Sequence, residues 1–427
     1  MRLTMSGLRK NRYIRRCIRR LGTARVIVGL RLLEFPLRHA VRLVVSRLSR
    51  ERGVLVFGAP LDRFADNTAY LFLRLSGSPR LRCVWVTGSA ELVERLRAAG
   101  HEAELRMSIA GLRVCLRAEW YVVSSYAADV NRWAQDGARL LNLWHGIPLK
   151  TIERDIANGP MSFIYRARSR RSLLAQALVD ETRAPDAVLS TSPFISEHCF
   201  ATAFGVPRER CLDFGYPRTD HFFGTHSRPF SDMLTRRPET WGRVRSAAYV
   251  IGYFPTWRDD DSPFIEQSGL SIERLADVVD AQGGLLVFKP HGNTSLSVSA
   301  GKAVVLDPED DLNLYLPLCS ALITDYSSVA FDFMLLDRPI LYYVPDLEQY
   351  RRDRGLYFEP ARMMPGPILS TAAELYTAVA ALGPSTPADQ RLGEVRALVW
   401  NGYDGRASQD LRRFLELDRS NAPLPHR

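Results

Sequence analysis

The stretch Leu322–Asp346, LITDYSSVAFDFMLLDRPILYYVPD, places a cluster of hydroxyls where a strand gives way to a helix. An apolar run, Ala321-Leu322-Ile323, leads into Thr324, Asp325, Tyr326, Ser327 and Ser328, and helical spacing starts at Val329. The first N–H groups of a helix lack partners and carry the positive end of its dipole, so such a turn can hold a phosphate. For a lone turn of this kind the plainer reading is an N-cap by Asp325, Ser327 or Ser328.

Four further motifs follow apolar runs. In LNLWHGIPLK, Leu141–Lys150, His145 precedes Gly146 and Pro148, which places its imidazole on a tight turn within reach of a ligand. In FKPHGN, Phe288–Asn293, alternation points Lys289 and His291 to the same side. YFPTWRDD, Tyr253–Asp260, offers Arg258 for bidentate contact with phosphate and Trp257 for stacking, or else a buried Trp beside a surface Arg–Asp pair. In FGYPRTD, Phe214–Asp220, Pro217 fixes the approach of Arg218, or the motif is an ordinary turn.

Short β-rich runs alternate with helical stretches from Glu51 onward, the rhythm of parallel α/β sheets. One series of strands is expected at 54–57, 84–87, 121–124, 140–143 and 188–191. A second is expected at 249–254, 285–288, 304–306, 321–324 and 340–344. The polar stretch Phe223–Arg245, with Gly224, Pro229 and Pro238, reads as the connection between them. The expected organisation is a basic segment 1–50, a Rossmann-like domain 51–225 and a second Rossmann-like domain 226–427, the two facing each other across a cleft. Ligands of such sheets bind at the carboxyl ends of strands, where the motifs fall.

The 427 residues, 46% hydrophobic and 24% charged, suit a globular chain of two domains. Six cysteines, Cys17, Cys83, Cys115, Cys199, Cys211 and Cys319, form no close pair, so neither a disulfide framework nor a zinc spacing is visible and a reducing cytoplasm is the simplest home. The formal charge of +10 is local: residues 1–50 hold fourteen Arg or Lys against Glu34 alone, leaving 43 basic and 46 acidic residues beyond. In that segment Ile14, Ile18, Leu21, Leu30, Leu33, Leu37, Val41, Val44 and Leu48 recur at helical spacing among arginines. No apolar run is long enough to span a bilayer or to form a signal peptide. One or two basic amphipathic helices with a break near Pro36, lying on an anionic membrane surface, are expected. A nucleic-acid-binding arm and a helix packed on the body are the competing readings, but no recognition-helix or RNA-binding-sheet signature accompanies the basic segment.

In order, WHGIPLK, GYPRTD, PTWRD, KPHG, TDYSSVAFDF and RGLYFEP (Arg354–Pro360) resemble the CDP-glycerol glycerophosphotransferase family, which builds poly(glycerol phosphate) in teichoic acids and some capsules. The resemblance spans about Leu141 to Pro367. It implies a GT-B-like pair of Rossmann-type domains, nucleotide held mainly by the second, and peripheral attachment to the cytoplasmic face of the cell membrane. It implies a CDP-glycerol donor, a lipid-linked or polyol-phosphate acceptor, and no cofactor. His145 is then the expected base, with His291, Lys289, Arg258 and Arg218 around the pyrophosphate or its transition state. Ser327 and Ser328 complete the cradle, Trp257 and Thr324 line the donor, and Asp325 and Asp332 orient these groups or bind sugar hydroxyls. Asp332 reads equally as a solvent-facing helix residue. No bound metal is expected; the run Asp259-Asp260-Asp261 reads as a solvated loop. A CDP-ribitol or nucleotide-sugar transferase of the same fold, and a non-catalytic membrane scaffold, remain open alternatives.

Overall fold

The computed structural model describes residues 23–157, 183–224, 229–235, 237–256, 268–289, 302–307 and 309–417. The chain forms two compact units, one of residues 1–145, 152–220 and 406–427, the other of residues 146–151 and 221–405. The sequence expectation drew a single cut at 225; the units instead exchange the short segment after His145 and the final helix.

In the first unit the β-branched and aromatic runs become seven parallel strands: β1 (Glu51–Gly58), β2 (Arg82–Thr87), β3 (Ala103–Leu105), β4 (Ala118–Val123), β5 (Arg139–Asn142), β6 (Ala187–Ser190) and β7 (Cys211–Asp213). Their order is β3-β2-β1-β4-β5-β6-β7, so the direction of winding reverses between β1 and β4. Continuous burial along β1 and β4, rather than alternation, follows from helices covering both faces.

The helices preceding and following these strands include α1 (Thr23–Val45), α2 (Asp66–Leu75), α3 (Ile109–Arg117) and α4 (Ala128–Asn131). Val114 and Cys115 of α3 and Val130 of α4 join Val54, Val56, Val84, Val86, Tyr121 and Val123 in one core cluster. Across the sheet, Phe72 of α2 meets Phe57 and Trp85 edge-on at 5.4 and 5.5 Å.

α1 runs without interruption through Pro36, where a break was expected. Proline removes one hydrogen bond and crowds the preceding turn. Contacts on either side carry the helix across: Glu34 pairs with Arg132 at 2.5 Å, and buried Arg38 pairs with Asp136 at 2.6 Å.

The second unit repeats the plan with β8 (Val250–Tyr253), β9 (Leu285–Phe288), β10 (Ala303–Val305), β11 (Ala321–Thr324), β12 (Ile340–Tyr343) and β13 (Ile368–Leu369). All pair in parallel in the order β10-β9-β8-β11-β12-β13, with the reversal between β8 and β11. α5 (Ile272–Asp280), α6 (Val329–Phe333) and α7 (Ala372–Ala380) follow β8, β11 and β13 in the chain. Leu275 and Val279 of α5 and Leu375 and Val379 of α7 pack on Ile251, Leu286, Ile323 and Leu341. Of the stretch read as a connection, Pro229–Leu234 and Pro238–Ser246 are helical.

The last helix, α8 (Ala407–Leu417), belongs to the first unit because Asp220 caps it. The buried Asp220 carboxylate accepts from Ala407 N at 2.9 Å and Ser408 N at 3.0 Å, where the helix dipole favours a negative charge. Among the described residues Cys83, Cys115, Cys199, Cys211 and Cys319 are buried and unpaired, and burial pushes the thiols of Cys83, Cys115 and Cys319 up to about 12. No helix of the described residues is long and apolar enough to cross a membrane.

Gly111 sets a sharp test of this packing. A Cβ there would lie 2.0 Å from the carbonyl oxygen of Leu105, a backbone atom unable to swing aside. Glycine to alanine inside a helix ordinarily stabilises by roughly 1 kcal/mol. Here the sign reverses: Gly111→Ala should destabilise the protein by about 2 kcal/mol or more, read as a lowered midpoint in denaturant.

Candidate functional site

Seven parallel strands leave their carboxyl ends on one edge of the first unit, and the first predicted site residue emerges there. β5 ends at Asn142, and the chain turns through Leu143 and Trp144 to His145. Trp144 is buried with φ of 50°, a left-handed backbone that costs a non-glycine residue about 1 kcal/mol or more. Its N–H is held by the Asn142 side chain at 2.9 Å, and Asn142 in turn donates to Ser125 O at 2.9 Å.

That twist exposes His145 and sets its Nδ1 3.0 Å from the carbonyl oxygen of Ser124, at the end of β4. A carbonyl only accepts, so Nδ1 carries the hydrogen and Nε2 is the basic nitrogen of the neutral ring. The Trp144 ring lies against the imidazole at 4.0 Å between centroids. These contacts fix both tautomer and orientation, which a proton-accepting histidine requires.

Two residues that the sequence motifs did not single out hold this turn. Asn67 Nδ2 donates to Leu143 O at 3.3 Å and Trp144 O at 3.0 Å, and its Oδ1 accepts from Arg218 N at 3.2 Å. Asp66, with φ of 63°, pairs with the Arg218 guanidinium at 2.7 Å. Arg218 is itself buried and lies 5.0 Å over the Tyr216 ring. The Asp66-Asn67 pair was the available signal, since those two residue types tolerate left-handed backbone and bond to it locally.

Nearby, Tyr126 donates its hydroxyl to Glu153 at 2.8 Å. The Asp129 carboxyl accepts from Tyr126 N at 3.1 Å, and burial pushes its pKa up to about 6.

In the second unit the motifs meet where the winding reverses. The loops leaving β8 and β11 are joined by Phe254 N to Ile323 O at 3.0 Å and by the Thr324 hydroxyl donating to Phe254 O at 2.7 Å. Buried Asp325 then accepts from Thr256 N with both oxygens, at 2.8 and 3.0 Å. Thr324 and Asp325 therefore shape the strand exits, and Asp325 does not act as an N-cap.

Ser327 and Ser328 are partly exposed on the turn into α6. Ser327 Oγ takes a long 3.4 Å bond from Val329 N, while Ser328, at the cap position, makes no capping bond with its side chain. Asp332 is buried within α6, not directed at solvent. Tyr326 stacks on Tyr350 at 3.8 Å and donates to Asp346 at 2.9 Å. Lys289, at the end of β9, donates from Nζ to Asp310 O at 2.5 Å.

The tail of the His145 motif belongs to this unit and pairs with the last motif of the series. Lys150 and Leu356 form an antiparallel bridge, with Tyr357 N donating to Leu149 O at 2.9 Å and Thr151 N to Gly355 O at 3.2 Å. Two motifs about two hundred residues apart thus share a backbone ladder. Trp257, Arg258, His291 and the aspartates 259–261 lie outside the described residues. Among the described residues no three His, Cys, Asp or Glu side chains gather as a metal site.

Residues 40–417 match the family model of CDP-glycerol:poly(glycerophosphate) glycerophosphotransferases. The chain belongs to this family. It is 30% identical over 307 residues to a teichoic acid glycerol-phosphate transferase of Staphylococcus aureus, covering 69% of this chain and 75% of that protein. It is 29% identical over 286 residues to a teichoic acid poly(glycerol phosphate) polymerase of Bacillus subtilis, covering 64% of this chain but 36% of that longer protein. The wall teichoic acid polymerase TagF superposes with a TM-score of 0.65 at 21% identity, over 92% of this chain and 97% of the solved one, so this glycerophosphotransferase shares its fold.

Two outcomes follow from the geometry. Asn67→Ala removes both donors from the carbonyls of Leu143 and Trp144 and should cost roughly 1–3 kcal/mol in denaturant unfolding. Asp129 releases its proton less readily in the folded protein than in the unfolded chain. The folded state therefore holds the extra proton between about pH 4 and 6, and this group's contribution to stability falls as pH rises through that window. Asp129→Asn should flatten that fall and raise stability at pH 7.5 by about 1–3 kcal/mol, measured as unfolding free energy against pH.

Proposed function

We propose that this glycerophosphotransferase moves glycerol phosphate from CDP-glycerol to a hydroxyl of a lipid-linked or polyol-phosphate acceptor, in assembly of a teichoic-acid-like or capsular polymer. The observation that carries the reading is His145, in the motif matching the family's WHG, with Nδ1 committed to Ser124 O and Nε2 left as its basic nitrogen.

The acceptor hydroxyl attacks the phosphorus bearing glycerol, and its proton passes to His145 Nε2. A new acceptor O–P bond forms while the bond from that phosphorus to the bridging oxygen breaks, and CMP leaves with the electron pair. An alcohol is a poor nucleophile at neutral pH, so the positioned base supplies part of the rate. Charge growing on the departing phosphate calls for cations and hydrogen-bond donors around it. Lys289, anchored at the end of β9, supplies one of them. In this reading His291 and Arg258, from the KPHG and PTWRD motifs, supply others, and Trp257 stacks on a ring of the donor. Ser327 and Ser328 offer hydroxyls on the turn after β11.

Arg218, expected at the pyrophosphate, also has a second part in this reading. Its pairing with Asp66 and its backbone bond to Asn67 make it a positioning residue for the His145 turn. Thr324 and Asp325 act likewise on the second unit's strand exits.

The same reading places the enzyme on the cytoplasmic face of the membrane, held peripherally by α1. Leu33, at 81% exposure, and Leu32, Leu37, Leu43 and Val44 present apolar surface on a helix whose Arg38 and Val45 are buried. Anionic lipid would receive that surface together with the basic residues that precede it.

Purified protein should release CMP from CDP-glycerol when given a membrane extract as acceptor. His145→Ala should lower that rate about 10²–10⁴-fold while leaving the unfolding midpoint within about 0.5 kcal/mol of wild type. Release from CDP-ribitol or a nucleotide sugar instead would move the donor. An unchanged rate in His145→Ala would remove the assignment of the base. Turnover should survive EDTA.

A further inference from the structure

Among the described residues, twelve large hydrophobic side chains are exposed, and six of them lie on α1 or the turn after it. Three more, Leu61, Met107 and Ile109, are gathered on one rim of the first unit, at 52%, 63% and 88% exposure. Scattered exposed leucines need no explanation, but a group on a built scaffold does.

The scaffold is Asp62. Its Oδ1 accepts from the Thr87 hydroxyl at 3.1 Å, Gly88 N at 2.7 Å and the Arg106 guanidinium at 2.6 Å. Arg106 continues to Val130 O at 2.7 Å and to Asp129 O. Leu61 and Asp62 have φ of 60° and 59°, a left-handed pair that neither residue type favours in succession. The three bonds to Asp62 hold that conformation, and with it Leu61 outward in water. On the other side of the Arg106 tie, Met107 and Ile109 flank Ser108, the N-cap of α3, which fixes their backbone.

This rim is continuous with α1. Glu34, between Leu33 and Phe35, pairs with Arg132; the adjacent Asn131 donates to Arg106 O at 3.0 Å, and Met107 is next in the chain. Arg113, one turn along α3 from Ile109, is exposed and makes no ion pair among the described residues, whereas the nearby Asp62 carboxylate is occupied by Arg106. The rim therefore offers apolar tips and a cation, the pattern that suits an anionic bilayer rather than a second acidic or apolar protein surface.

We propose that Leu61, Met107 and Ile109 form a second bilayer contact which, together with α1, fixes the orientation of the first unit on an anionic membrane. The inference rests on the membrane reading of α1 given above. All strands of this sheet are parallel, so the rim lies on the same edge as His145. Leu61 follows β1, two strands and roughly 10 Å from β5, the strand that carries His145. Seating this rim in the headgroup layer brings the base close to an acceptor whose lipid stays in the bilayer.

The test uses full-length protein and vesicles of phosphatidylcholine with 30% phosphatidylglycerol. Met107→Ser/Ile109→Ser should weaken partition about tenfold or more, as should Leu33→Ser/Leu37→Ser in α1. Because these side chains are exposed, both variants should keep the wild-type melting midpoint. In a Cys17→Ser background, an environment-sensitive fluorophore on Ile109→Cys should shift to the blue on vesicle addition and be quenched by brominated lipid. If wild type and Met107→Ser/Ile109→Ser bind vesicles equally and the label stays in water, the rim contact is overturned while the α1 reading stands. If wild type fails to bind vesicles at all, both fall.

Discussion

Asn67 is the side chain on which the His145 end of the first unit depends. Past the last rung of a parallel sheet, backbone carbonyls lose their ladder partners, and a buried carbonyl left alone carries a penalty of about 1–3 kcal/mol. Asn67 meets two of them, on Leu143 and Trp144, and thereby lets the chain turn sharply enough to present His145. The second unit solves the same problem with the opposite sign. There the orphaned group is an N–H, that of Thr256, and a carboxylate, Asp325, receives it. In both sheets the tie joins loops leaving different strands close to the reversal of winding, where a ligand has room to enter. Rigid strand exits are the common product. A base or phosphate donor placed on such an exit inherits its position from the sheet rather than from a loop of its own.

Much of this architecture could be read from the residues. The longer strands are unbroken apolar runs, since helices bury both faces, and they stood out against polar helical stretches. β3, β7 and β13 did not, being runs of three or two residues, whereas β10, equally short and at an edge, stood out because its residues run on into Leu306 as one apolar stretch. The turn around His145 was legible from Gly146 and Pro148, yet its supports were not. Asn67 and Asp66 lie some 80 residues earlier, and although their residue types mark a local turn, nothing in the sequence names Leu143 or Arg218 as their partners. Arg218 shows what a motif leaves out: an arginine beside proline suggests phosphate, and nothing in the motif foretells that the fold pairs it with Asp66 and lays it over Tyr216. Asp220 in the same motif was read as part of a turn, and it caps a helix 187 residues further on.

The basic amino-terminal segment calls for a finer account than its formal charge provides. Arg38 and Arg42 both reach Asp136, Arg50 donates to the carbonyls of Cys115 and Ala134, and Arg47 bonds back to Leu43 O. Those guanidiniums hold the helix to its own body, so much of the charge on the described part of α1 and the turn after it is already engaged. What this region still presents to its surroundings is largely apolar. An adsorbed helix of this kind draws its affinity from buried hydrocarbon area as well as from attraction to anionic lipid, and the hydrocarbon share is less sensitive to salt. In the membrane contact proposed above, a surface built in this way would hold at physiological ionic strength, where a purely basic arm would loosen. It also favours one orientation over another, because apolar side chains on a rigid body must enter the headgroup layer together, whereas screened charges tolerate many angles of approach.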